Sequence, residues 1–327
     1  MLFSTSTRVF PSRGFGGNAV FQRYISQLIV PPTQISKSCW SRLNRFSTVS
    51  SRQNIQYTRQ PQTLPSFSLE GKTCVGTRAA RGLGKEFLTA FARSGANGAC
   101  IDLSLAAGTS SIKHITSHLN KSRSEINLKP YACDVTSESQ VKSTITQIVK
   151  DFGKIDVLVT AAGIVDNVAA EDYSYARWRK LMDVNLDGSF LCAREVGKHL
   201  IQQQIKGGSI ILVGSMCGEV CVRPQRQAAY NASKAAVIML AKSLATEWAP
   251  HSIRVNTLSP GYMHTDLIID LLDKQGSEIT EEWIEHTPMR RMGRPSELQG
   301  AVVWMASEAS SFMTGANIVV DGGYSCY

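Results

Sequence analysis

The first acidic side chain of this 327-residue sequence is Glu70. Residues 1–69 hold no Asp or Glu but eight basic residues, Arg8, Arg13, Arg23, Lys37, Arg42, Arg45, Arg52 and Arg59. They are also rich in Ser, Thr, Gln and Asn, with scattered aromatics such as Phe10, Phe15 and Phe21. Arg-rich, Ser-rich and acid-free is the composition of a mitochondrial transit peptide. The expectation is import into the mitochondrial matrix, with cleavage near Arg23-Tyr24 or Arg45-Phe46, and residues 1–69 are set apart from the fold. The N-terminal region has no apolar run long enough for a membrane span or a secretory core. Net charge is missing too once the first 69 residues are removed. Of 35 basic residues in all, taking away those eight leaves 27, against 26 acidic ones. A nearly neutral body gives no electrostatic footprint for nucleic acid. The eight cysteines are scattered, and no His or second Cys pair accompanies Cys217 and Cys221, so no metal site is expected.

From residue 70 to 327 short β-rich runs alternate with longer helical ones. Strands are expected at 72–77, 98–103, 128–132, 155–160, 209–213, 253–258 and 317–320. Helices are expected at 82–94, 110–121, 141–152, 173–203 and 228–248, with further helical material between 265 and 307. The run at 155–160 is almost wholly apolar, as in a strand buried on both faces. Seven strands alternating with helices predict an α/β fold: a single-domain, doubly wound, Rossmann-like seven-stranded parallel sheet with helices on both faces. Residues 262–293 interrupt the alternation after a strand end and are expected to form a substrate lid.

A Gly-rich turn follows the first strand: Thr77-Arg78-Ala79-Ala80-Arg81-Gly82-Leu83-Gly84. Such a turn lets backbone approach a pyrophosphate at the positive N-terminus of the next helix. Asp102 ends the second strand, where a carboxylate can accept hydrogen bonds from an adenosine ribose and repel a 2′-phosphate. Leu103 beside it offers no cation, which favours NAD, while Arg81 keeps NADP open. Asp134 and Val135 are expected near the adenine. Ala161, Ala162 and Gly163 leave small residues where the cofactor must pass.

In Tyr230-Asn231-Ala232-Ser233-Lys234 the phenol and the ammonium lie four residues apart, on one helix face. A cation there stabilises phenolate and should lower the Tyr pKa, so that the phenol can exchange a proton with an alcohol. Alone, this spacing is common on helices. Ser215, at the end of the preceding strand, can hold the substrate oxygen against Tyr230. Asn185, in the long helix after the fourth strand, is placed to fix Lys234 through water. All four converge at the ends of strands where open α/β sheets bind ligands.

The order Gly-rich turn, Asp102, Ala-Ala-Gly, Asn185, Ser215, Tyr-x-x-x-Lys and Ser259-Pro260-Gly261 resembles the short-chain dehydrogenases/reductases, across residues 69–327. The resemblance implies a catalytic set of Asn185, Ser215, Tyr230 and Lys234. It places Pro260, Gly261 and Thr265 beside the nicotinamide, and it implies a homotetramer with the helices at 173–203 and 228–248 pairing between subunits. Segments 243–248, 254–262 and 321–327 are similar to the fungal polyol dehydrogenases and ketose reductases. That implies an NAD(P)-dependent oxidoreductase interconverting a sugar alcohol and its ketose. A 3-oxoacyl or other hydrophobic carbonyl is the alternative substrate, and a non-catalytic dinucleotide-binding relative the alternative class. The polar residues Glu219, Arg223, Gln225, Arg226 and Gln227 favour the polyhydroxylated substrate. Two departures stand out. Arg78 occupies the place of the family's glycine and is expected to crowd the pyrophosphate, so that Arg78→Gly would tighten dinucleotide binding; Gly76 beside it should weaken the first strand. Thr160-Ala161 replaces a common pair of Asn, with small side chains that preserve access.

Overall fold

The structure is a computed structural model that describes residues 64–119, 125–265 and 278–326. The expected leader up to residue 63, and the part of the expected lid at 266–277, lie outside the described residues. Seven parallel strands form one sheet: β1 Thr73–Thr77, β2 Asn97–Asp102, β3 Leu128–Ala132, β4 Val157–Thr160, β5 Gly208–Val213, β6 Ile253–Pro260 and β7 Asn317–Val320. Their order is β3-β2-β1-β4-β5-β6-β7. The chain therefore reverses its direction of winding between β1 and β4, where doubly wound sheets open a crevice. β1, β4, β5 and β6 are buried along their whole length, as their apolar runs require under two helical layers.

Eight α-helices accompany the strands among the described residues: α1 Gly82–Arg93, α2 Leu105–Ser117, α3 Glu138–Phe152, α4 Tyr175–Met182, α5 Gly188–Gln202, α6 Ala228–Trp248, α7 Glu278–His286 and α8 Gln299–Ala306. On one side of the sheet Val141, Ile145, Val196, Leu200, Val237 and Leu244 pack on Val75, Leu158 and Leu212. On the other, Phe87 and Phe91 of α1 meet Val302 and Met305 of α8 over Val157 and Val159. Seven strands and two helical layers match the expected fold.

The differences are local. The body starts earlier than residue 70: Leu69 is fully buried, and its N–H donates to the Ser94 carbonyl. α2 begins five residues before the expected 110, because Ser104 caps it by accepting from the Ala107 N–H. The expected helix at 173–203 is two helices joined by a π-type turn, Asp183–Asp187. Apolar spacing averages over such a widened turn and does not reveal it. β1 forms despite Gly76, which is held by parallel pairing to Cys100 on one side and Val159 on the other.

Candidate active site

A cleft opens at the C-terminal ends of β1, β4, β5 and β6, and among the residues lining it are Arg78, Arg81, Gly163, Ser215, Tyr230 and Lys234. The strand ends bring together residues as far apart in sequence as Arg78 and Pro260, and α6 supplies the two that its own period aligns. Lys234 is buried, its Nζ donates to the Val213 carbonyl at 2.8 Å, and it lies 5.7 Å from the centre of the Tyr230 ring. Burial pushes the Lys234 ammonium down to about 8. Tyr230 is only partly exposed, and burial pushes its phenol up; nearby Cys217 adds to the rise, while the Ser215 hydroxyl and the Arg78 charge oppose it. Both groups sit in a poorly solvated place, where burial is the largest influence on each.

Asn185 stands in the π-type turn rather than in an α-helix. Its Nδ2 donates to the Ile164 carbonyl at 3.0 Å and to Ser233 Oγ at 3.0 Å, and its Oδ1 accepts from the Ile164 N–H at 2.8 Å. Ser233 Oγ in turn donates to the Tyr230 carbonyl at 2.7 Å. The amide therefore bolts the chain after β4 to the helix that carries Tyr230 and Lys234. Ser215 Oγ accepts from the Cys217 N–H at 3.1 Å, which keeps the hydroxyl at the mouth of β5.

At the other end, the cleft is lined by Arg81, Gly82, Leu83, Ala161 and Gly163, and near Tyr230 by Pro260, Gly261 and Thr265. Gly82 has φ +54. A Cβ on Gly84 would lie 2.4 Å from the Arg78 carbonyl oxygen, so only glycine lets α1 start this close to the turn. Arg78 fits the turn at φ +51 and donates from Nη1 to the Gly163 carbonyl at 3.0 Å, so its guanidinium lies along the cleft. The small residues, the glycine turn and the α1 N-terminus fit a dinucleotide.

Thr77, Gly84, Asp102, Asp134, Val135, Ala162 and Asn185 are not among the residues that line this cavity. Thr77 Oγ1 accepts from the Ala162 N–H, which ties β1 to the end of β4. Asp102 accepts from the Ala80 N–H and so braces the turn. Asp134 accepts from Thr136, and Val135 packs where a Gly188 side chain would otherwise be. Of the polar residues expected to face substrate, only Gln225 and Gln227 line the cleft. Glu219 instead accepts from Asn317, and Arg226 pairs at 3.7 Å with Glu171, both well exposed. Sequence reasoning missed Asn167, whose Oδ1 accepts from Gln227 Nε2 at 2.8 Å. It also missed Trp283, which stacks on Tyr262 with ring centres 4.2 Å apart. A lone aromatic in an acidic stretch, Glu281-Glu282-Trp283, was the available signal.

Comparison with known proteins agrees with this geometry. A family profile described as Enoyl-(Acyl carrier protein) reductase matches residues 76–325. The chain is 41% identical to a sorbose reductase of Candida albicans over 82% of its own length and 94% of the relative's. It is 37% identical to an NADH-dependent L-xylulose reductase of Ambrosiozyma monospora, covering 81% and 98%. It is 40% identical to a probable NADP-dependent mannitol dehydrogenase of Yarrowia lipolytica, covering 80% and 90%. Among solved structures, a short-chain type dehydrogenase/reductase from Mycobacterium marinum superposes with a TM-score of 0.75 at 38% identity, over 80% of this chain and 98% of that one.

Proposed function

The chain belongs to the short-chain dehydrogenase/reductase family, and from that premise we propose that it interconverts a sugar alcohol and its ketose, with NAD as the hydride carrier. The observation that carries the substrate class is the amide wall of the cleft. Gln225, Gln227 and Asn167 line it together with the acid/base residues, and the last two are hydrogen-bonded to each other. Side-chain amides both donate and accept, which suits a chain of hydroxyls and leaves unpaired polar groups against a hydrocarbon chain. Relatives named for sorbose, L-xylulose and mannitol support the same class.

A bound nicotinamide dinucleotide supplies the hydride acceptor or donor. Tyr230 takes the hydroxyl proton during oxidation and returns it to the carbonyl oxygen during reduction. The Ser215 hydroxyl holds that oxygen, and Lys234 places positive charge beside the phenol. Asn185 keeps Gly163 and Ile164 against α6. Asp102 with Leu103 next to it supports NAD over NADP, since the carboxylate repels a 2′-phosphate. The test is dinucleotide reduction by purified protein across pentitols and hexitols, first with NAD and then with NADP. Turnover of at least one polyol, faster with NAD, is expected. Activity confined to 3-oxoacyl thioesters would sink the substrate reading.

The same proposal extends to place and assembly. The acid-free, Arg-rich composition of residues 1–69 supports mitochondrial import, to be checked by fusing that segment to a fluorescent protein. Exposed Tyr175, Phe190 and Met239 on α4, α5 and α6 support a homotetramer, to be checked by light scattering.

A further inference from the structure

The turn between β1 and α1 carries a charge where the family pattern has a glycine. Arg78 holds φ +51, a conformation that costs an L residue about 1 kcal/mol or more. Its guanidinium is tethered to the Gly163 carbonyl at 3.0 Å. Gly163 adjoins the acid/base cluster: a Cβ on it would lie 3.4 Å from Asn185 Oδ1 and 3.7 Å from Lys234 Nζ. Arg78 thus faces the same cleft as Ser215, Tyr230 and Lys234.

We propose that Arg78 supplies a second cation to the acid/base cluster, favouring the phenolate form of Tyr230 and moving proton transfer in alcohol oxidation to lower pH. It acts through Tyr230 and is a positioning residue. The inference rests on the family's alcohol–ketone chemistry, whichever polyol is the substrate.

The groups facing Tyr230 show why a second cation matters. Lys234 lies one turn along α6, Ser215 and Cys217 come from the segment after β5, and Arg78 comes from the β1–α1 turn. Burial and Cys217 oppose the phenolate; Ser215 and Arg78 favour it. Lys234, pushed down to about 8 by burial and further by Arg78 itself, with Cys217 opposing, loses its charge at the alkaline pH where alcohol oxidation is favoured. A guanidinium keeps its charge there. Burial, and after it Arg81, disfavour the charge of Arg78 itself, while Asp102 and Tyr230 support it.

The test compares the native protein with Arg78→Gly and Arg78→Lys. Glycine suits φ +51, so the charge is removed without loss of the turn. Three measurements are made on each: the pH profile of kcat/KM for oxidation, dinucleotide affinity by protein fluorescence, and a tyrosinate absorbance titration read as the difference from the same protein carrying Tyr230→Phe. Arg78→Gly should move both the acid limb and the Tyr230 titration up by about 0.5–1 pH unit, while Arg78→Lys stays close to native. An unmoved Tyr230 titration in Arg78→Gly, or an equal shift in Arg78→Lys, would overturn the inference. Loss of all polyol turnover in the native protein together with a shifted titration would sink the substrate reading and leave this one standing.

Discussion

The two ends of the cleft are built by different means. At the acid/base end, side chains hold one another: Asn185 is fixed at three points, Ser233 reaches the Tyr230 carbonyl, and Lys234 is tied to Val213. At the dinucleotide end the backbone does the holding, through Gly82 at φ +54, Arg78 at φ +51 and the close approach of Gly84 to the turn. A site made of side chains depends on functional groups. A site made of backbone depends on conformation, which is how an arginine can stand where a glycine is usual.

That contrast breaks most sharply at Tyr230. Tyr230→Phe removes the proton carrier and should lower kcat by about 10²–10⁴-fold, with dinucleotide affinity unchanged in fluorescence titration. Equal loss of affinity would mean that the two ends are not separable. Lys234→Met should also abolish most turnover, yet stabilise the fold by about 3 kcal/mol at pH 7, because it removes an ammonium that burial has pushed from 10.5 to about 8. The sign follows from proton binding. Below pH 8 folded and unfolded chains are both protonated at this site, and the full penalty is present. Between pH 8 and 10.5 the unfolded chain binds more protons, native stability rises, and the advantage of the variant should fade. Denaturant melts at pH 7 and pH 10 check this, and a constant gap would refute it.

At the backbone end, Gly84→Ala should weaken dinucleotide binding by about 10- to 100-fold, since a Cβ 2.4 Å from the Arg78 carbonyl forces the turn to shift. Calorimetric titration measures it, and native affinity would show that the turn yields freely. The smallest effect is expected at Asp102, which braces the turn from outside the cleft lining. Asp102→Ser should raise kcat/KM with NADP relative to that with NAD by about tenfold.

Much of this was legible in the sequence because it depends on periods within one segment. The limits of β3, α6 and β7 fell where the apolar pattern placed them, and the fourfold spacing of Tyr230 and Lys234 put both on the cleft side of α6. Patterns failed where a residue's role depends on a partner distant in sequence. Asn185 was expected in a regular helix; it sits in a π-type turn, where it bonds Ile164 and Ser233. Five polar residues at 219–227 looked equivalent, and packing turned only Gln225 and Gln227 into the cleft.

The sequence by itself determined the alternation of strand and helix, the order of the motifs and the pairing of phenol with ammonium, because local backbone periods and burial patterns suffice for these. Only the tertiary structure decided that burial raises the Tyr230 phenol and lowers the Lys234 ammonium, that the Asn167–Gln227 pair faces the same cleft, and that the Arg78 guanidinium reaches across to Gly163. Each depends on how far apart the strand ends and turns are set when the sheet closes between its two helical layers, and that distance is written in no single segment.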